Sequence, residues 1–161
     1  MIYVLFICLG NICRSPMAEA IFRHKVKQAK LERKIQVDSV GTADYHSGQR
    51  PHRGTQRELK RHQISYDGIR ARQLNSQDVE ISDYLIVMDT ENLNDVRNQA
   101  RRWGYNVDDE VRMMLEFAYK TQLEDLDVPD PYYTRGFDTV YKMLDDASDG
   151  LLDYIRQQEK L

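Results

Sequence analysis

The sequence predicts an α/β fold built on a parallel sheet, and three observations carry that prediction. The segment IYVLFI, residues 2–7, is apolar without alternation, as in a strand covered on both faces. DYLIVMD at 83–89 repeats the pattern. Helix-like stretches alternate with these strand-like runs, which is how a parallel sheet crossed over by helices reads in sequence.

In chain order, the strand at 2–7 is followed by Ser15-Pro16. This pair suits a helix start, because a proline in the first turn gives up an N–H that has no intrahelical partner. Ala18, Ile21, Phe22, Val26 and Ala29 then recur at helical spacing. IQVDSVGT (35–42) reads as a second strand ending in a glycine turn, and TQRELKRH (55–62) as a polar surface helix. The third strand, 83–89, leads into TENLNDVRNQA, a helix. EVRMMLEF (110–117) fits a fourth strand, with a helix as the alternative. Phe137, Val140, Tyr141, Leu144, Ala147, Leu151, Leu152 and Ile155 form one apolar stripe of a last helix. The connection 118–135 is long for a compact domain, and connections of that length tend to be functional.

A chain of 161 residues fits one domain, residues 1–161, with a core that needs neither disulfides nor metals. Hydrophobic residues make up 41% and charged residues 30%, with a net charge of −3. That balance disfavours a nucleic-acid partner. No apolar run approaches the ~20 residues of a membrane span, and the first residues lack a secretory pattern. The expectation is a soluble cytoplasmic protein without a membrane partner.

Cys8 and Cys13 are the two cysteines. They make no disulfide framework. A structural zinc wants four ligands, and His24, His46, His52 and His62 lie far from the pair in sequence. The pair leans toward reactivity, with burial as small apolar filler the plainer alternative.

Ligands of parallel sheets sit beyond the C-terminal strand ends, and Cys8 lies just past the first strand. Residues 9–14 must turn from strand to helix. Their amides can point inward as an anion-binding nest, reinforced by the start of the following helix. Arg14 adds a planar fork suited to two phosphate oxygens. Gly10 permits backbone geometry that a side chain resists, and Asn11 tolerates left-handed dihedrals. Cys8, at the floor of the nest, is surrounded by groups that favour its thiolate, and Ser15 is placed to donate to the sulfur. This is a nucleophile aimed at bound phosphate, working through a phosphocysteine. The bare Cys-x5-Arg spacing is weak; its position between a buried strand and a helix strengthens it.

FICLGNICRSPMAEAIF resembles the active-site signature of low-molecular-weight protein tyrosine phosphatases. DSVGT, YHSGQRPHRG, RARQL, YLIVMDTENL and DPYYTRGFDTVYKMLDDASDGLLDYI resemble the family's later segments, so the likeness spans nearly the whole chain. The resemblance implies a three-layer sandwich: a four-stranded parallel sheet with helices on both faces. It also implies a metal-independent, cofactor-free phosphatase, monomeric or weakly dimeric, acting on phosphotyrosine-containing proteins, with inorganic phosphate as product and inhibitor. Residue by residue, it implies Cys8 as nucleophile, Arg14 as phosphate clamp and Asp130 as general acid, then base. Leu9, Gly10, Asn11, Ile12, Cys13 and Ser15 complete the phosphate loop, with Ser39 in support. Tyr45, Tyr132 and Tyr133 join Leu9 and Ile12 as walls around the substrate ring. Two positions depart from the usual pattern. Tyr45 stands where Trp is frequent, and Ile69 stands where many members carry His, which alters the polar network around Asn11.

The neighbouring readings are a protein arginine phosphatase, a thiol-dependent arsenate reductase, and a non-hydrolytic phosphocysteine carrier or phosphate-binding module. Arginine phosphatases resemble the loop but carry Thr at the position of Ile12 and lack the DPYY segment. Arsenate reductases need further cysteines, and none follows Cys13. A carrier has no use for Arg14 or Asp130. Cys13 is also expected to resolve an oxidised Cys8 as a disulfide, in which case Cys13→Ser should recover less well from peroxide. His46 and His52 lie near the site without an assigned role, and the acidic stretch 123–130 reads as a solvated loop.

Overall fold

The computed structural model describes residues 1–120 and 123–161. β1 (Ile2–Cys8) leads into α1 (Arg14–Gln28), β2 (Ile35–Gly41) and α2 (Arg53–Arg61). Then come α3 (Ser76–Ile81), β3 (Tyr84–Val87) and α4 (Thr90–Arg102). β4 (Val111–Met113) runs into a 3-10 turn (Met114–Phe117), followed by α5 (Pro131–Thr134) and α6 (Phe137–Glu159). The four strands pair in parallel in the order β2-β1-β3-β4.

The unbroken apolar runs have the expected cause. Val4, Phe6 and Cys8 of β1 join one core with Ile86, α1 and α6. Leu5 and Ile7 join a second core with Leu85, Val87 and Val96 of α4. The central strands β1 and β3 are buried on both faces, so their sequence between turns has no polar side to show. Phe6 and Phe22 meet edge to face at 5.5 Å, both fully buried, and truncating either to Ala should cost about 3–5 kcal/mol. From Arg14 to Phe22 every residue of α1 is buried. The first half of this helix is enclosed by sheet and α6, and only its later turns, from Arg23 on, reach solvent.

Three local readings change. Residues 110–117 are neither all strand nor all helix: three residues pair with β3, and the next four tighten into a 3-10 turn. That turn lies so close to α6 that a Cβ on Gly150 would stand 1.8 Å from the Phe117 carbonyl oxygen. α3 was not expected. It is six residues long, too short for a periodic stripe, and is started by a capping box between Asn75 and Asp78. The long connection 118–135, of which residues 121 and 122 lie outside the described residues, contains a helical turn, α5, opened by Asp130 and Pro131. No helix among the described residues is long and apolar enough to cross a membrane.

Candidate active site

Strand order places β1 between β2 and β3, with later strands added on the β3 side. The crevice of such a sheet opens at the β1/β3 switch point, beyond the C-terminal strand ends. Cys8 ends β1 there, and the chain turns through Asn11, whose φ is 57°, before entering α1. Asparagine is among the few non-glycine residues that take this left-handed conformation readily.

The loop is held by its carbonyls. Thr42 N–H donates to the Cys8 carbonyl at 2.9 Å, Ala43 to Leu9 at 3.0 Å and His52 to Ile12 at 2.7 Å. The Thr55 hydroxyl donates to the Cys13 carbonyl at 3.1 Å. The amides of Gly10, Asn11, Ile12 and Cys13 have no protein acceptor among the described residues. The loop thus turns its acceptors outward and keeps its donors for an anion. Gly41 makes the approach possible, since a Cβ there would sit 2.7 Å from the Leu9 carbonyl oxygen.

Asn11 organises the floor. Its Nδ2 donates to Ser15 Oγ at 2.7 Å and to Ser39 Oγ at 3.0 Å, and its Oδ1 accepts from the Arg72 amide at 3.0 Å. Each serine receives one hydrogen from Asn11, which leaves its own to give onward. Ser15 faces Cys8 Sγ at 3.0 Å, and Ser39 donates to Glu19 Oε1 at 2.6 Å. Ser39 thus lies behind the loop, joined to it through Asn11. Ile69 is buried in the apolar core and contributes no polar group to this network.

Glu19 was not anticipated. It is buried, and its pKa is pushed up to about 7, chiefly by burial and also by Asp38; the Ser39 hydrogen bond, Arg23 and Arg72 work the other way. Its nearest cation, Arg23, is 3.9 Å away. Asp89 is the second residue missed. Arg14, 3% exposed, donates through Nη1 to Asp89 Oδ2 at 2.5 Å and to the Val128 carbonyl at 3.0 Å; its Nη2 lies 3.5 Å from Asp130 Oδ2. Burial works against the guanidinium charge, but Cys8, the hydrogen-bonded Asp89 and Asp130 outweigh it and hold the pKa above the ordinary arginine value. Asp89 had one readable signal: it lies two residues past β3, at the same sheet end as Cys8. Its cap on α4, accepting from Asn92 N–H at 2.8 Å, gives it an ordinary explanation that hides the second role.

Asp130 caps α5, accepting from the Tyr132 amide at 3.1 Å. This fixes the carboxylate at the cavity wall opposite the loop. The cavity, about 290 Å³, is lined by the loop from Cys8 to Arg14 and by Tyr45, His46, Asp130, Tyr132 and Tyr133. Every expected wall residue is present. His46 is the addition, its ring against Gly10 and 6.3 Å from that of Tyr132. Cys13 is buried, and burial together with Cys8 and Asp130, opposed by Arg14, pushes its thiol up to about 12.

Residues 3–161 match the family described as Low molecular weight phosphotyrosine protein phosphatase. The chain is 45% identical over 161 residues to the low molecular weight protein-tyrosine-phosphatase YfkJ of Bacillus subtilis, covering all of both chains. It is 40% identical to PtpA of Staphylococcus aureus, over 100% of this chain and 98% of that one. The crystal structure of YfkJ superimposes with a TM-score of 0.91, at 46% identity over 100% and 98% of the two chains. The drosophila arginine phosphatase DARP superimposes with a TM-score of 0.86, at 29% identity over 97% and 98%. The backbone alone therefore does not separate the two substrate classes. Family match, relatives and fold agree that this chain belongs to the low molecular weight phosphotyrosine protein phosphatase family.

Proposed function

We propose that the chain, working as one domain, hydrolyses phosphotyrosine monoesters through a phosphocysteine on Cys8. The observation that carries this is one constellation: Cys8 at the floor of a nest of unpaired amides, touched by Ser15, beside a buried Arg14, with Asp130 across the cavity. The phosphate occupies the amide nest and the Arg14 fork. Cys8 sulfur attacks phosphorus as the bond to the phenolic oxygen breaks, and Asp130 gives its proton to that leaving oxygen. In the second half Asp130 takes a proton from water. The water oxygen attacks phosphorus, the P–S bond breaks, and the thiolate and inorganic phosphate are released. Fixed amides and Arg14 stabilise the three equatorial oxygens in both transition states. The released phosphate fits the same nest and should inhibit.

The rim supports a phenyl ring over a guanidinium. Ile12 is apolar and packs with Cys13, Ala71 and Phe137, offering nothing to hydrogen-bond a phosphoguanidinium, while three tyrosines stand around the opening. The test compares kcat/KM for phosphotyrosine and phosphoarginine in the wild type and in Ile12→Thr. Phosphotyrosine should be preferred by the wild type, and the ratio should move toward phosphoarginine in the variant, by about tenfold for one gained hydrogen bond. A wild-type preference for phosphoarginine overturns the reading.

A further inference from the structure

Beyond the phosphate nest, a cationic ridge flanks the cavity. On one side α2 begins one residue after His52, whose amide is bonded to the phosphate loop. Arg53, Gln56, Arg57 and Lys60 fall at i, i+3, i+4 and i+7, one stripe of the helix, and together line a shallow surface groove. The opposite stripe, Thr55, Glu58 and Leu59, is buried. Arg53, Arg57 and Lys60 are exposed, and among the described residues no carboxylate lies within 4 Å of them; Glu58 is taken up by Arg61 at 3.2 Å. Glu124, Asp125 and Asp127, also exposed, precede Val128, whose carbonyl accepts from Arg14, and Asp127 itself accepts from the Thr90 amide and hydroxyl. In a chain whose net charge is −3, three free cations on one ridge beside the cavity are not a solvated average.

The ridge is held in place. His52 accepts from the Gly54 amide at 3.0 Å, stacks on Phe137 at 5.0 Å and meets the cavity-lining Tyr132 edge to face at 5.9 Å. Gln56 donates to the Pro51 carbonyl at 2.7 Å and accepts from Tyr66 at 3.0 Å. The field of the ridge reaches the rim: the His52 pKa is lowered, first by burial and then by Arg53 and Arg57. The positive end of the α2 dipole points the same way.

We infer that Arg53, Arg57 and Lys60 bind the acidic flank of a phosphotyrosine peptide whose phosphate sits above Cys8. Seven residues of helix span about 10 Å, the length of roughly three extended peptide residues. The ridge therefore reads a short acidic run on one side of the phosphotyrosine. The ridge stands on one side of the phosphate nest, so charge favours one direction in which a peptide crosses the cavity. This rests on the phosphatase reading above and names its substrate class.

The test uses three phosphotyrosine peptides: three Asp before the phosphotyrosine, three Asp after it, or Ala at both. One acidic peptide should exceed the Ala peptide by about tenfold in kcat/KM at low ionic strength, mostly through KM. The advantage should shrink to about twofold in ~0.5 M salt. In the double variant Arg53→Glu/Arg57→Glu the favoured acidic peptide should lose its advantage and fall to or below the Ala peptide. The new acids sit in the first turns of α2, where they suit the helix dipole, and thermal unfolding checks that the fold is kept. Arg33→Glu/Lys34→Glu makes the same charge change at the opposite end of the sheet and should preserve the preference. The inference is overturned if no acidic peptide is preferred, if the preference survives reversal on α2, or if the remote reversal removes it equally. It is also overturned if phosphatidylserine vesicles, and not acidic peptides, bind through Arg53 and Arg57. Failure to hydrolyse p-nitrophenyl phosphate would instead remove the phosphatase reading itself.

Discussion

The floor and the rim of the cavity are built on different principles. At the floor, Cys8, Asn11, Arg14, Ser15 and Ser39 are each at most 4% exposed, and each of these side chains has a named partner. At the rim, Tyr45, Tyr132 and Tyr133 are 70%, 50% and 76% exposed, and the side chains of Tyr132 and Tyr133 meet each other and, for Tyr132, His46 and His52 through ring contacts. A phosphoryl group makes the same demand whatever carries it, so the floor is fixed before substrate arrives. The remainder of a substrate varies, and the rim meets it with surfaces that cost little to rearrange. Chemistry and selectivity are thus separable in this fold, and each can be broken without the other.

Replacing the floor's reacting atom gives the largest effect. Cys8→Ser should lower turnover of p-nitrophenyl phosphate by on the order of 10^5-fold, because a hydroxyl in this nest is a far weaker nucleophile than a thiolate. The amides and Arg14 are untouched, so inorganic phosphate should still bind, as isothermal titration would show. Residual turnover within tenfold of wild type would mean that the nucleophile lies elsewhere.

Asp130 belongs to both regions: its backbone opens the rim helix α5, while Oδ2 lies beside Arg14 of the floor. Asp130→Ala should slow cleavage of phenyl phosphate by about 10²–10³-fold. It should slow a good leaving group such as p-nitrophenolate much less, since that oxygen needs no proton to depart. Equal losses on the two esters would take the acid role from Asp130. The lost α5 cap, worth about 1 kcal/mol, should lower stability without changing that ratio.

The same division decides what could be read from sequence. β1, the phosphate loop and the start of α1 are contiguous, and their chemistry follows from neighbours within a few residues; Cys8, Asn11, Arg14 and Ser15 were therefore legible together. Asp89 meets Arg14 across 75 positions, and Glu19 meets Ser39 across 20. Neither pairing has a local signature, because each exists only once the strand order has brought the sheet's C-terminal ends together. His46 was noted in the second loop but gained its place at the cavity only through the approach of that loop to Gly10. The short elements α3 and α5 escaped for another reason. Their start signals, Asn75-x-x-Asp78 and Asp130-Pro131, are legible caps, but four to six residues show no periodic face.

Glu19 offers the subtlest way to test the floor, by adding or removing a proton far from the substrate. Its pKa of about 7 in the folded chain exceeds the usual 4.5, so the folded state holds the extra proton between those values. Stability contributed by this group is then greatest below pH 4.5, falls as pH rises toward 7 and levels off above it, a swing of order 3 kcal/mol. Glu19→Gln removes the titration while keeping an oxygen that accepts from Ser39. Relative to wild type, the variant should therefore gain stability as pH rises from 5 to 8, read from denaturant midpoints across that range. Because the Ser39–Asn11–Ser15 chain survives, kcat/KM should change by no more than a few fold. Parallel stability curves would show that Glu19 is ionised throughout and paired more tightly than its 3.9 Å approach to Arg23 implies. A large kinetic loss with the stability shift intact would show that the carboxylate, and not the hydrogen-bond acceptor, is what the floor requires.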